Sequence, residues 1–256
     1  MADDGKILTL PGGRNGLNVR CFDSRDDAAA YVTSEVATAL AAAIDSRGQA
    51  IWIGAGGTTP RPVYERLSEA VIDWSVVTMG QVDERFVPVD DGRSNTRMMT
   101  HALSAILSDD IGPGMTFLSL IEDIDDQDNC AAEAEKTLLE LGKGEPPLFD
   151  FALMGMGNDG HYASIFPNHA VNAFVYDTKA LVLPVAASGD GTEPVLPRIT
   201  LTVPALNRSR RILFLIFGDD KIEVLKTLGP VTDPFKSPIG AFTAQCPVDI
   251  EFVWAA

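Results

Sequence analysis

Short apolar runs alternate with helix-length segments along most of this chain. The clearest runs are residues 50–53, 76–82, 149–154 and 211–217. Strands of a parallel sheet are buried on both faces, so they read as continuous apolar runs joined by helical crossovers. The sequence therefore predicts an α/β fold in which helices cover both faces of a mostly parallel sheet.

Local signals place most of the other elements. Ser24, followed by Asp26 and Asp27, is typical of a helix start, and that helix is expected to end at Gly48. Further helices are predicted from Pro60 to Val71, from Ser94 through Ile106, over 126–141 and from Asp219. Further strands are predicted at 17–22, 115–120, 181–185, 199–203 and 250–253.

The length of 256 residues fits one large domain or two small ones. Residues 1–16 contain four glycines and few apolar side chains, which predicts a loose N-terminal lead-in. Residues 17–256 are expected to form a single α/β domain. The stretch 168–198 is rich in glycine, proline and β-formers and interrupts the alternation, so it is predicted to be an insertion or a small subdomain.

The amino-acid composition limits the kinds of partner and ligand that we expect for this chain. The net charge of −16 argues against a broad surface for nucleic acids or anionic membranes, because both need basic patches. No apolar run reaches 18 residues, and the three cysteines form no CxxC pair, so we expect reduced thiols in a cytoplasmic protein. HxH and HxxxH patterns are also missing, and no metal is expected.

Residues 54–60, Gly-Ala-Gly-Gly-Thr-Thr-Pro, follow one predicted strand and precede a helix. Free backbone N–H groups and hydroxyls at such a position suit a phosphate, although a tight turn has the same signature. The loop matches neither GxGxxG nor the lysine-bearing Walker pattern, so neither NAD nor ATP is indicated. Asp83-Glu-Arg85 also follows a strand, and it reads either as a surface ion pair or as part of a site.

The strand at 149–154 runs into a turn with three glycines in six residues, and Asp159 and His161 lie within or just after it. Glycines let a backbone approach a ligand closely, and an imidazole is a base that titrates near neutral pH. This combination favours a catalytic or ligand-binding His161. His101 and His169 lack such a setting and are interpreted as structural. Arg198 and Lys221, taken alone, are typical of solvated basic side chains.

In order along the chain, these segments resemble the 6-phosphogluconolactonase family over roughly residues 20–230. The most specific match is Gly155-Met-Gly-Asn-Asp-Gly-His-Tyr-Ala-Ser-Ile-Phe-Pro167. Supporting matches are Gly56-Gly-Thr-Thr-Pro60, Asp83-Glu-Arg85 with Ser94-Asn95, Arg198-Ile-Thr200 and Gly218-Asp-Asp-Lys221. The resemblance implies a Rossmann-like fold and hydrolysis of 6-phosphoglucono-δ-lactone without metal or cofactor. The expected state is a monomer or a small homo-oligomer, and the sequence does not choose between them.

The resemblance also assigns roles by position. His161 matches the general base, and Arg85, Asp83 and Asp159 match active-site residues. Residues matching the positions that hold the sugar phosphate are Gly56, Gly57, Thr58, Arg198 and Lys221. The sequence leaves two points open: Asp159 either orders its loop or binds sugar hydroxyls, and the developing oxyanion is met either by backbone N–H groups or by Arg85.

Two other functions fit parts of the same pattern. A sugar-phosphate isomerase or deaminase of the glucosamine-6-phosphate type shares the Asp-Gly-His turn but has a glutamate five residues after the histidine, where this chain has Phe166. A non-catalytic sugar-phosphate sensor would keep the phosphate-binding residues and lose the base, since a fold alone does not fix function. Phe166 argues against the first alternative, and the pairing of Asp159 with His161 in one motif argues against the second.

Overall fold

The computed structural model describes residues 5–107, 113–122, 124–187 and 195–256. These residues form an eight-stranded sheet and a separate three-stranded sheet. In spatial order the large sheet contains β1 (Lys6–Leu10), β2 (Leu17–Phe22), β11 (Ile250–Ala255), β10 (Ile212–Phe217), β7 (Phe151–Met154), β3 (Ala50–Gly54), β4 (Val77–Gln81) and β6 (Thr116–Leu118).

Every neighbouring pair of strands in the large sheet is parallel except β1 and β2, which are antiparallel. The prediction of a mostly parallel α/β sheet is thus confirmed. The six-residue run of β10 shows the physical reason. Its alternate residues point to opposite faces, and both sets are buried in the two hydrophobic clusters that sandwich the sheet.

Helices cover both faces of this sheet, as predicted. One face packs against α1 (Arg25–Arg47), α2 (Arg61–Arg66) and α3 (Asn95–Ala102). The other packs against α4 (Gln127–Leu141), α6 (Asp219–Leu228) and α7 (Pro238–Gln245), while α5 (Val203–Leu206) is a single turn in the same core. Among the described helices, none is both long and apolar enough to cross a membrane.

The ends of α1 confirm the signals in the sequence. The side chain of Ser24 accepts a hydrogen bond from the backbone N–H of Asp27, and Gly48 ends the helix in the left-handed conformation with φ of 75°. The helix covers the central strands and leads directly into β3. The signals that end α1 therefore also indicate where in the sequence β3 and the glycine-rich loop after it begin.

The small antiparallel sheet has the order β5 (Asp83–Arg85), β9 (Arg198–Leu201) and β8 (Val182–Val185). Its pairing sets Arg85 opposite Arg198 and Asp83 opposite Thr200. The segment 168–198 supplies β8 and the first residue of β9, and its residues 188–194 lie outside the described ranges. Its status as an insertion stays a prediction.

Four predictions about elements are wrong in part, and the first is the helix predicted through Ile106, which ends at Ala102. Residues 1–16 are not entirely a loose lead-in, because residues 6–10 form β1, which pairs with residues 17–21 of β2. The helix after Pro60 ends at Arg66 and is followed by one 3₁₀ turn, which leaves Val71 fully exposed. Val203 does not extend β9, because the side chain of Thr202 caps α5 at that point. Helix α7 was not predicted.

Candidate active site

A cavity of about 150 Å³ opens at the carboxyl ends of the central strands. Loops after β3, β4 and β7 meet there, together with the start of β9. This is the edge at which open α/β sheets bind ligands, because the loops after parallel strands converge on it. The lining residues are Ala55, Gly56, Thr59, Pro60, Asp83, Arg85, Asn95, Gly155, Met156, Gly157, His161, Ala163 and Arg198.

The turn after β7 presents His161 to this cavity. The Oδ1 atom of Asp159 lies 2.6 Å from His161 Nδ1 and accepts the His161 backbone N–H at 3.1 Å. Gly157 closes the turn by donating its N–H to the carbonyl of His161 at 2.8 Å. A Cβ on Gly157 would lie 2.1 Å from Nδ1, so only glycine allows the ring to fold back against its own turn.

The contact with Asp159 assigns the two nitrogens of the His161 ring. Burial raises the pKa of the Asp159 carboxyl, but the hydrogen bonds and charge of His161 outweigh burial, and the net pKa is lowered. The carboxylate is thus ionised at neutral pH and can only accept, so Nδ1 carries the proton. The neutral ring then holds its free electron pair at Nε2. Because Asp159 also accepts the backbone N–H of His161, its contacts favour the loop-ordering role over binding of sugar hydroxyls.

Arg198 and Asp83 form a buried pair on the opposite wall. Their exposed fractions are 3% and 6%, and Arg198 Nη1 lies 3.7 Å from Asp83 Oδ2. Burial lowers the pKa of the Arg198 guanidinium, while the charge of Asp83 opposes that shift. Ser164, three residues after the histidine, donates to Asp83 Oδ2 at 2.6 Å and so joins this pair to the His161 turn.

Glu84 is a buried support that the sequence did not indicate. Its carboxylate is 1% exposed and accepts the backbone N–H groups of Arg85, Asn95 and Thr96 at 2.6 to 2.7 Å. Two of these donors belong to the first turn of α3, where a negative charge is favourable. The interpretation of Asp83-Glu-Arg85 as a surface ion pair is therefore wrong, because both carboxylates are buried against α3 and β9.

Arg85 extends from this support to the cavity. Its Nη1 donates to the carbonyl of Arg93 at 2.7 Å, which holds the guanidinium in place. Asn95, beside it, donates from Nδ2 to the carbonyl of Asp83 at 3.0 Å. The cavity therefore has a cationic wall made by Arg85 and Arg198 within a strongly acidic chain.

The glycine-rich loop after β3 forms the adjoining wall. Gly56 packs so closely on Asn95 that a Cβ would lie 2.0 Å from its side-chain oxygen. Gly57 and Thr58 are not among the residues lining the cavity, and Thr58 is exposed in a neighbouring groove with Arg25. Thr59, which is not among the residues predicted to hold the phosphate, lines the cavity instead.

Lys221 approaches the same site from the first turn of α6. Its Nζ donates to the carbonyl of Met156 at 2.8 Å, behind the glycine turn that carries His161. Burial lowers the pKa of the ammonium, and the charges of Asp220 and Asp159 oppose that shift. The structure thus places every predicted site residue near this edge, with Gly57, Thr58, Asp159 and Lys221 outside the lining itself.

Comparison with known proteins shows which family the chain belongs to. The family model described as "Glucosamine-6-phosphate isomerases/6-phosphogluconolactonase" matches residues 23–254. A 6-phosphogluconolactonase of Rhizobium meliloti is 33% identical over 240 residues, covering 93% of this chain and 98% of that protein. One of Caulobacter vibrioides is also 33% identical, over 243 residues, and the match covers 93% of this chain and 97% of that protein.

A solved structure shares both fold and sequence. The crystal structure of a 6-phosphogluconolactonase from Shewanella baltica has a TM-score of 0.84 and 30% identity, and the match covers 96% of this chain and all of that one. The α/β architecture of this chain is therefore shared with a solved 6-phosphogluconolactonase.

Proposed function

Since the chain belongs to the glucosamine-6-phosphate isomerase/6-phosphogluconolactonase family, we propose that it hydrolyses 6-phosphoglucono-δ-lactone to 6-phosphogluconate. The observation that carries this proposal is the ring of His161, whose Nδ1 is held by Asp159 while the residue lines a cavity that also contains Arg85 and Arg198. This arrangement offers one oriented base facing cations that suit an anionic sugar.

The reaction needs a water, a base and a stabilised carbonyl oxygen, because a lactone is a cyclic ester. His161 Nε2 takes a proton from water as the water oxygen bonds to C1. The tetrahedral intermediate then collapses, the bond from C1 to the ring oxygen breaks, and the imidazolium returns its proton to that oxygen. The oxyanion is met either by N–H groups of the glycine-rich turns or by Arg85.

Binding of the 6-phosphate is the second part of the proposal. Arg198 is buried on the cavity wall, and Lys221 lies behind the turn of residues 155–157. The glycine-rich loop at Gly56, Gly57 and Thr58 precedes α2 and supplies backbone N–H groups for the phosphate oxygens. Holding the phosphate fixes C1 relative to His161. This lowers the entropic cost of bringing the reacting groups into the geometry that the reaction needs.

Phe166 supports one of the two activities in the family's description over the other. Deamination needs an acid near the histidine that transfers protons during ring opening. Phe166 is 2% exposed and its ring centroid lies 4.5 Å from that of His161, so a hydrocarbon ring occupies this position. The site therefore supports hydrolysis better than isomerisation or deamination.

The proposal is tested by titrating acid release from freshly made 6-phosphogluconolactone at constant pH, corrected for spontaneous hydrolysis. We expect a rate proportional to enzyme concentration and no release of ammonia from glucosamine 6-phosphate. A rate equal to the spontaneous background would overturn the proposal, and ammonia release would favour the deaminase.

Gly157, in the turn that carries His161, allows a test of whether the His161–Asp159 contact is needed for catalysis. Gly157→Ala is expected to lower kcat about 10- to 100-fold, because the new Cβ would lie 2.1 Å from His161 Nδ1 and 2.6 Å from Asp159 Oδ1. Gly80→Ala, in β4 and outside the cavity lining, serves as the control, since its Cβ would meet only Ile53 at an ordinary 3.5 Å. Equal kcat values for the two variants would contradict the role of the His161–Asp159 contact.

Lys221 makes phosphate binding depend on pH. Because burial lowers its pKa, the ammonium loses its proton at a lower pH than an ordinary lysine, and the affinity for the phosphate falls as pH rises through that value. We expect the Kd of 6-phosphogluconate, measured by calorimetry between about pH 7 and pH 10, to rise with pH. Lys221→Arg keeps its charge over this range, so its Kd should rise less. Identical pH profiles would show that Lys221 does not contact the phosphate.

A further inference from the structure

Phe166 contacts both functional groups of the proposed site. Its ring centroid lies 4.5 Å from the imidazole of His161, and the Arg198 guanidinium carbon lies 5.0 Å from the same centroid. The first group is the proposed base, and the second is a proposed phosphate ligand. One buried side chain therefore contacts both the proposed base and a proposed phosphate ligand.

The ring itself is held firmly. Phe166 is 2% exposed, and its backbone carbonyl accepts a hydrogen bond from Nδ2 of the buried Asn172 at 2.7 Å. A buried ring with an anchored backbone has few rotamers available. The ring can thus restrict the orientations of the His161 imidazole and the Arg198 guanidinium that pack against it.

The two contacts are of kinds that have preferred geometry. A guanidinium near an aromatic ring is attracted by the electron-rich face, and the attraction is strongest where water is excluded. An imidazole packed against a phenyl ring also has preferred tilted or offset arrangements. An aliphatic side chain of similar volume would fill the space but would not impose these orientations.

We propose that Phe166 is a positioning residue that fixes the His161 ring and the Arg198 guanidinium relative to each other. This inference rests on the proposed function and deepens it. The substrate has a set distance between its phosphate and C1, so the enzyme must hold base and phosphate ligand at a matching separation. Phe166 provides that spacing and takes no part in proton transfer, since a phenyl ring has no group that can donate or accept a proton.

The test compares Phe166→Leu and Phe166→Met with Phe149→Leu. Phe149 is equally buried but lies at the amino end of β7, away from the cavity. We expect both Phe166 variants to lower kcat and to raise KM, each about tenfold, because both contacts are lost. The Phe149 variant should lose thermal stability and keep kcat and KM unchanged.

Two further measurements keep the test independent of turnover. The Kd of 6-phosphogluconate should rise about tenfold in the Phe166 variants alone. The imidazole C–H signals of His161, assigned by their loss in His161→Ala, should shift and broaden in these variants and stay unchanged in Phe149→Leu.

The outcomes separate the two proposals. An inactive wild type would overturn the lactonase function, while the Kd and the His161 signals would still decide whether Phe166 positions the two groups. Wild-type kcat, KM and Kd in Phe166→Met would show that volume alone matters and would overturn the positioning role.

Discussion

Replacing His161 by alanine is expected to lower kcat by about 10²- to 10⁴-fold while KM changes little. This range is what a positioned general base contributes to a hydrolysis. We expect KM to be spared because the proposed phosphate ligands, Arg198 and Lys221, are separate from the imidazole. Steady-state kinetics on the lactone, corrected for spontaneous hydrolysis, gives both constants.

His101→Ala is the matched control for this variant. His101 is exposed on α3 and outside the cavity, so its removal should leave both constants unchanged. A kcat near that of the wild type in His161→Ala would contradict the role of His161 as base. A large rise in KM with unchanged kcat would instead make His161 a binding residue.

Replacing Arg198 by methionine is expected to have two separate effects. The KM should rise about 100-fold or more, because a buried charge-assisted contact to the phosphate is lost. The free energy of unfolding should fall by about 3–5 kcal/mol, because the buried Asp83 carboxylate loses its nearby cation. Kinetics and urea denaturation measure the two effects independently.

Two variants separate binding from stability. Adding Asp83→Asn to Arg198→Met removes the unpaired charge, so part of the stability should return while KM stays high. Arg61→Met is the control, since Arg61 forms an exposed pair with Glu65 on α2 that contributes little. A normal KM in Arg198→Met would remove Arg198 from the phosphate site.

The parts of the fold that the sequence predicts well are those set by neighbouring residues. Ser24 and Gly48 bound α1, and Gly142 ends α4, because capping depends on backbone groups within one turn. Strand β1 was missed because Lys6–Leu10 becomes ordered by pairing with β2, which composition does not reveal. The order of the large sheet also escapes the sequence, since β2 lies beside β11 although more than 200 residues separate them.

The same distinction between neighbouring and distant residues applies to the candidate site. Asp159 and His161 could be selected from one motif, but their hydrogen bond depends on a turn that Gly157 alone permits. The sequence leaves the role of Glu84 open because its burial depends on α3 and β9, which are distant in sequence. Ser164 stands in the most specific motif, yet its contact with Asp83 required the folded chain.

The contact between Asp159 and His161 spans only two positions along the chain, whereas the proposed phosphate ligands are drawn from the loop after β3, from β9 and from α6. Loop-closure entropy makes such distant groups dependent on cooperative folding of the whole sheet, while short-range contacts form early and persist in locally ordered segments. The proposed base and its partner are therefore held by a contact that is local in sequence, whereas the proposed phosphate ligands come together only when the whole sheet folds. Partial unfolding would separate the proposed phosphate ligands before it disturbed the contact between Asp159 and His161.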